Sequence, residues 1–146
     1  MLSQTAEYAL RAVVCLVNCP ENSLTTTEIA QITNVPSSYL SKILQALGRA
    51  NIVKSQRGLH GGFKLTKPAE RISLLEVINA VDPIQTIIEC PLGLKDHGKK
   101  LCPLHKKLND TILVTQEAFR GTTARGFLTS SDNPASLCEI FNPQKK

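Results

Sequence analysis

The stretch LTTTEIAQITNVPSSYLSKILQALGRANIV, Leu24 to Val53, holds two helical patterns on either side of a proline. Thr25 or Thr26 is available to cap the first, whose apolar residues Ile29, Ala30 and Ile32 precede Asn34. Pro36 breaks the run, and Ser37 or Ser38 can cap again. Leu40, Ile43, Leu44 and Leu47 then follow at i, i+3, i+4 and i+7. Two short amphipathic helices about a tight turn make a helix-turn-helix. The opposite face of the second helix displays Ser38, Ser41, Lys42, Gln45 and Arg49, which are hydroxyls, an amide and cations without a carboxylate. Those groups suit a helix laid between phosphate rails with its side chains on base edges in the major groove. Ser37 and Tyr39 on the same helix, and Thr27 on the one before it, join the candidate contacts.

The surrounding charge points the same way. The chain has 146 residues and a formal net charge of +5, and no Asp or Glu occurs from Ile29 to Ala69. That block carries Lys42, Arg49, Lys54, Arg57, Lys64 and Lys67. A one-signed block is the electrostatic footprint expected of a polyanion partner, because each cation placed on a phosphate releases condensed counterions.

Downstream, IVKSQRGLHGGFKLTKP reads as two short strands, Ile52 to Gln56 and Phe63 to Thr66, around a glycine-rich tip. Gly58, Gly61 and Gly62 allow the positive φ of a hairpin loop and a close approach to a surface. A hairpin directly after a recognition helix is a wing. Arg57 is placed there to enter a minor groove, and Gly58 and His60 to meet phosphate. A nucleotide-binding reading of the glycines fails because neither a following helix nor a Gly-Lys-Ser/Thr sequence is present.

On the amino-terminal side, Ala6, Ala9, Leu10, Val13, Val14 and Val17 recur at helical spacing behind a possible Ser3 cap, with Cys15 near the apolar side and Cys19-Pro20 at the exit. Past the wing, ISLLEVINAVDP predicts a short helix capped by Ser73 and stopped at Pro83. Leu101, Leu104, Leu108, Ile112, Thr115 and Phe119 then trace a long amphipathic helix whose stripe needs a partner, for which a second copy of the chain is the economical choice. The expected fold is mainly α with a small β-hairpin wing. A winged helix-turn-helix unit occupies 1–83, a cysteine/histidine loop 84–106, a dimerisation helix 101–120 and a carboxy-terminal tail 121–146.

With these elements in place, the chain resembles the Rrf-two-type family of bacterial winged-helix regulators, which includes the IscR, NsrR and CymR groups. The likeness rests on LSQTAEYALRAV, on TEIAQITNVPSSYLSKILQALGRANIVKSQRGLHGGFKL and on ISLLEVINAVD, and extends to about Arg120. It implies a homodimer that binds palindromic double-stranded promoter DNA. It also implies an iron-sulfur cluster held between the long helix of one subunit and the first helix of the other. Family loops usually carry three cysteines, with a fourth ligand from a nearby histidine or from an acidic residue in helix one. Here Cys90 and Cys102 match the outer pair, the middle position falls near Asp96 and His97, His105 matches the loop histidine and Glu7 the acidic ligand.

The loop ECPLGLKDHGKKLCPLH, Glu89 to His105, sets Cys90, His97, Cys102 and His105 at C-x6-H-x4-C-x2-H. Thiolate and imidazole are the donors that zinc and iron-sulfur centres prefer. Three readings stand. Cys90 and Cys102 with two of His97, His105 and Glu7 hold a two-iron two-sulfur cluster. Or the same residues bind zinc or nothing, and thiols surrounded by Lys95, Lys99, Lys100, Lys106 and Lys107 act as a redox switch. Or the site has decayed and the prolines only shape turns. A cluster-free regulator controlled by a partner protein is the corresponding rival function. Catalysis is not expected, since neither an acidic orienter nor an oxyanion-hole motif accompanies the thiols. Five cysteines, an odd number, and the want of a leader or a long apolar run predict a cytoplasmic protein without a membrane span.

Overall fold

The computed structural model describes residues 2–20, 22–91 and 100–129. Helix α1, Gln4–Val17, begins where the Ser3 hydroxyl accepts the Ala6 amide at 3.2 Å. Every residue from Ala12 to Val17 is buried, so α1 is the central post against which α2, α3, α4 and α6 pack. Cys15 and Cys19 are buried among these contacts.

Helix α2, Thr26–Thr33, carries a closed capping box. The Glu28 amide donates to the Thr25 hydroxyl, and the Glu28 carboxylate accepts from the Thr25 amide at 2.7 Å. That hydrogen bond to the Thr25 amide, and then the one to its hydroxyl, hold the Glu28 carboxyl below its ordinary value. Asn34 ends the helix in the left-handed region at φ 54°. Helix α3, Ser37–Arg49, buries Leu40, Ile43, Leu44 and Leu47. Its N-cap is Pro36, not Ser37 or Ser38 as the sequence suggested, and no side chain caps it. The proline ring sets φ at −57°, ready for helix entry, and both serines fall inside the first turn.

Strands β1, Val53–Gln56, and β2, Gly62–Leu65, pair antiparallel with Val53 opposite Leu65 and Lys54 opposite Lys64. The hairpin is fastened to the helical body by reciprocal bonds between Leu24 and Phe63, at 3.0 and 2.7 Å. Gly62 must be glycine: its φ is +150°, and a Cβ would lie 2.6 Å from the Leu24 carbonyl.

A 3-10 turn at Ala69–Arg71 leads to α4, Leu74–Val81, where the Ser73 hydroxyl accepts the Glu76 amide at 3.1 Å. Removing this cap by Ser73→Ala is expected to cost about 1 kcal/mol. Urea denaturation should show an earlier midpoint with an unchanged slope, and an unshifted midpoint would discount the cap. Helix α5, Pro103–Gly121, starts at a proline, two residues later than the apolar spacing suggested. It packs on α4 yet buries none of its own residues, leaving Leu104, Leu108, Leu113 and Val114 exposed.

The chain then turns back, which the sequence reading of 121–146 as a tail did not foresee. Helix α6, Ala124–Thr129, is docked by the Leu74 amide on the Thr122 carbonyl at 2.9 Å and the Ala124 amide on the Ile72 carbonyl at 2.8 Å. Ala124 is fully buried, and Arg125 reaches Glu70 at 3.2 Å. Residues 130–146, with Cys138, lie outside the described residues. Among the described residues, no helix is long and apolar enough to cross a membrane.

Candidate functional site

All ten residues named for nucleic-acid contact are solvent-exposed on one winged-helix unit. Thr27 is on α2, Ser37, Ser38, Tyr39, Ser41, Lys42 and Gln45 are on α3, and Arg57, Gly58 and His60 are at the hairpin tip. Amphipathicity accounts for the six on α3, because its buried leucine and isoleucine row forces the polar row outward. Tyr39 is partly shielded by an edge-on contact with Tyr8 of α1, ring centres 6.4 Å apart. The hairpin adds a feature that the linear sequence does not display: Lys54 and Lys64 are directly opposite each other. Like charges opposed across a ladder destabilise it, and an anion laid over the wing relieves the repulsion. Lys67, by contrast, is already paired with Glu76 at 2.5 Å.

A second cluster forms where the chain meets the amino terminus of α5. Donor atoms of Cys90, Cys102 and His105 all lie within 4.8 Å of one another. Nδ1 of His105 is 3.1 Å from the Cys102 sulfur and 3.6 Å from that of Cys90. Cys102 is the N-cap residue and His105 sits in the first turn, so the x2 spacing folds both onto one helix end. The Cys102 thiol is held below its ordinary value, chiefly by the backbone amide of His105, then by the Cys90 side chain and the Leu104 amide, against some desolvation. At the other extreme, burial and then the neighbouring Cys19 push the Cys15 thiol up to about 12. Burial, followed by Glu28, also raises Cys19.

The three donors fit a metal. Around one tetrahedral ion with bonds of about 2.0 Å to nitrogen and 2.3 Å to sulfur, ligand atoms stand roughly 3.5–3.8 Å apart, close to the spacing found here. Two thiolates and an imidazole suit zinc and cluster iron alike, and a fourth donor must come from outside this trio. His97, like Lys95 and Lys99, lies outside the described residues. Within one chain Glu7 does not join the trio, the acidic ligand being expected from a second subunit; its carboxylate is paired with Arg11 one turn along α1. Arg11 also donates to the Thr33 carbonyl at 3.4 Å and covers the Tyr8 ring at 5.8 Å.

Sequence reasoning missed the groups that hold the Cys90 segment. The Ile87 amide donates to Asn109 Oδ1 at 2.8 Å, and Gln116 Nε2 donates to the Ile84 carbonyl at 2.7 Å. Their one sequence signal is a pair of amides seven residues apart on an amphipathic helix.

Comparison with known proteins supplies the context. Residues 2–125 match the model of the Rrf2 family, described as an iron-dependent transcriptional regulator. Among solved structures, T. potens IscR superposes with a TM-score of 0.73 at 19% identity, covering 88% of this chain and 85% of that one. CymR, the global cysteine regulator of B. subtilis, gives 0.72 at 24%, covering 90% and 98%. Staphylococcus aureus CymR gives 0.70 at 22%, covering 90% and 100%.

Proposed function

Since the chain belongs to the Rrf2 family of transcriptional regulators, we propose that it is a homodimeric, sequence-specific DNA-binding regulator whose Cys90–Cys102–His105 cluster senses iron-sulfur, redox or nitric oxide status. Members of this family are regulators, not enzymes. The observation that carries the sensing role is the convergence of three metal-type donors at the end of a helix that packs, through α4, on the helix-turn-helix. The exposed apolar residues of α5 support the dimer, in which two recognition helices address half-sites about one helical turn apart or more.

A two-iron two-sulfur cluster is the preferred occupant, supported by the iron-dependence in the family's description and by the thiolate-imidazole chemistry of the trio. When bound, such a cluster supplies sensitivity to oxidants and to nitric oxide. Cys90 and Cys102 would hold one side, with His105 and a further donor, His97 or the acidic side chain at Glu7 of a second copy, completing it. The residues of this chain do the transmission. Cys90 belongs to the segment after α4, Cys102 and His105 to the start of α5, and α4 touches both α5 and α3. Ligation ties that segment to α5; its loss frees α5 to shift on α4 and changes the relative placement of the two α3 helices.

The test is an absorption spectrum with iron and sulfide counts on protein purified without oxygen. A charge-transfer band that vanishes in Cys90→Ala, with altered promoter binding and an intact fold, is the expected result. A normal spectrum in that variant rejects ligation by Cys90. The close grouping of all three donors around one point favours a second reading, a single zinc ion or a metal-free thiol switch in the same place. Zinc alone in the metal count selects it. At the wing, Arg57→Ala is expected to weaken specific DNA binding by about 1–3 kcal/mol. Equal affinity of variant and parent at fixed salt would remove Arg57 from the interface.

A further inference from the structure

We propose that Asn109 and Gln116 are positioning residues of the Cys90–Cys102–His105 cluster, holding segment 84–90 in register along α5 so that Cys90 arrives opposite Cys102. The proposal rests on reading the three donors as a metal centre, and deepens it by naming what assembles the centre from two separate parts of the chain.

The contacts form a ladder. Ile84 is tied to Gln116, Ile87 to Asn109, and Cys90 meets Cys102 and His105. Along the segment the tied residues are three apart, and along α5 they are seven apart, running in the opposite direction. Seven helical residues rise about 10.5 Å at 1.5 Å each. Three residues of nearly extended chain span about 10 Å. The two spacings therefore match, and seven residues fall only about 20° short of two full turns, so the rungs share one side of α5. A chain fixed at the first two rungs is delivered to the third without further guidance. Asn79 of α4 anchors the start by accepting from the Ile84 amide at 3.2 Å.

The chemistry of the two rungs differs in a way that substitutions can read. Asn109 accepts through Oδ1, a role that aspartate can fill, whereas Gln116 donates through Nε2, which glutamate cannot do. Groups hydrogen-bonded directly to metal ligands change affinity by about 10–100-fold when lost. Asn109 and Gln116 act one step further out, on the backbone that carries Cys90, so the lower end of that range applies.

The experiment uses the full-length protein in two measurements: cobalt(II) titration followed by its thiolate charge-transfer band, and the rate at which diamide joins Cys90 to Cys102 in metal-free protein, read by peptide mapping. Asn109→Leu is expected to weaken cobalt binding by at least about tenfold and to slow the cross-link. Asn109→Asp should retain both properties, and Gln116→Glu, a change of nearly constant size, should impair both even if Asn109→Leu fails to fold. Cross-linking and cobalt binding at parental levels in Asn109→Leu and Gln116→Glu would overturn the ladder. If the parent protein itself takes up no cobalt through its thiols, the metal reading fails, and the cross-linking rates decide the ladder alone.

Discussion

In metal-free protein at pH 7.5, iodoacetamide should label Cys102 at least about a thousand times faster than Cys15. The thiolate is the nucleophile, so the comparison reduces first to the fraction ionised. A thiol at the ordinary 9.0 is roughly 3% ionised at this pH, and Cys102 lies below that value; one at about 12 is ionised to roughly 0.003%. Exposure acts in the same direction, because Cys15 has no accessible surface while Cys102 is partly open at a helix end. Labelling of Cys102 falls as pH drops through its lowered value, whereas Cys15 would need strongly alkaline solution or unfolding. Cys19, buried and also raised, should follow Cys15 in resisting the reagent. Timed quenching with peptide mapping gives each rate. Zinc added beforehand should protect Cys102 by occupying its sulfur. Comparable rates at Cys102 and Cys15 would show that the end of α5 does not stabilise a thiolate, and would weaken the case for Cys102 as a ligand.

That contrast between two cysteines was only half legible in the sequence. Cys15 declares itself as a packing residue because it falls on the apolar row of α1, and the helix-turn-helix declares itself through the leucine spacing around Pro36. The pairing of Cys102 with His105 is equally local, since three residues on a helix end bring two side chains together whatever the rest of the chain does. The position of Cys90 is not local. It depends on amides at Asn109 and Gln116, which look like ordinary polar residues until the segment they bind is laid beside them. Helix α6 is hidden for a related reason. ARGFLT has little apolar periodicity, and its place is set by backbone bonds to Ile72 and Leu74 some fifty residues earlier. The role read for Glu7 belongs to a second copy of the chain; within one chain the fold adds that its exposed carboxylate is paired with Arg11.

The affinity for a duplex of arbitrary sequence should fall by a factor on the order of 10³ to 10⁵ between about 50 and 200 mM salt, as expected of a dimer that contacts roughly six to ten phosphates. No operator is needed for this measurement, because counterion release is independent of sequence. The block from Ile29 to Ala69 supplies the cations without a single carboxylate among them. Within it the fold separates residues that the sequence treats alike. Lys42 is exposed on the outer row of α3, where the proposed major-groove docking would set it against a phosphate rail. Lys54 and Lys64 oppose each other across the wing and lose mutual repulsion when an anion arrives. Lys67 is held by Glu76, so its charge is already compensated before DNA is present. Lys42→Gln should therefore flatten the slope of log affinity against log salt by about 2 in the dimer, about one phosphate contact per protomer, while Lys67→Gln should leave it unchanged. Fluorescence anisotropy across a salt series gives each slope. Equal flattening by the two substitutions would mean that the basic block acts only through its summed charge, without a fixed docking face. A parent slope near zero would remove the polyanion from the interface altogether.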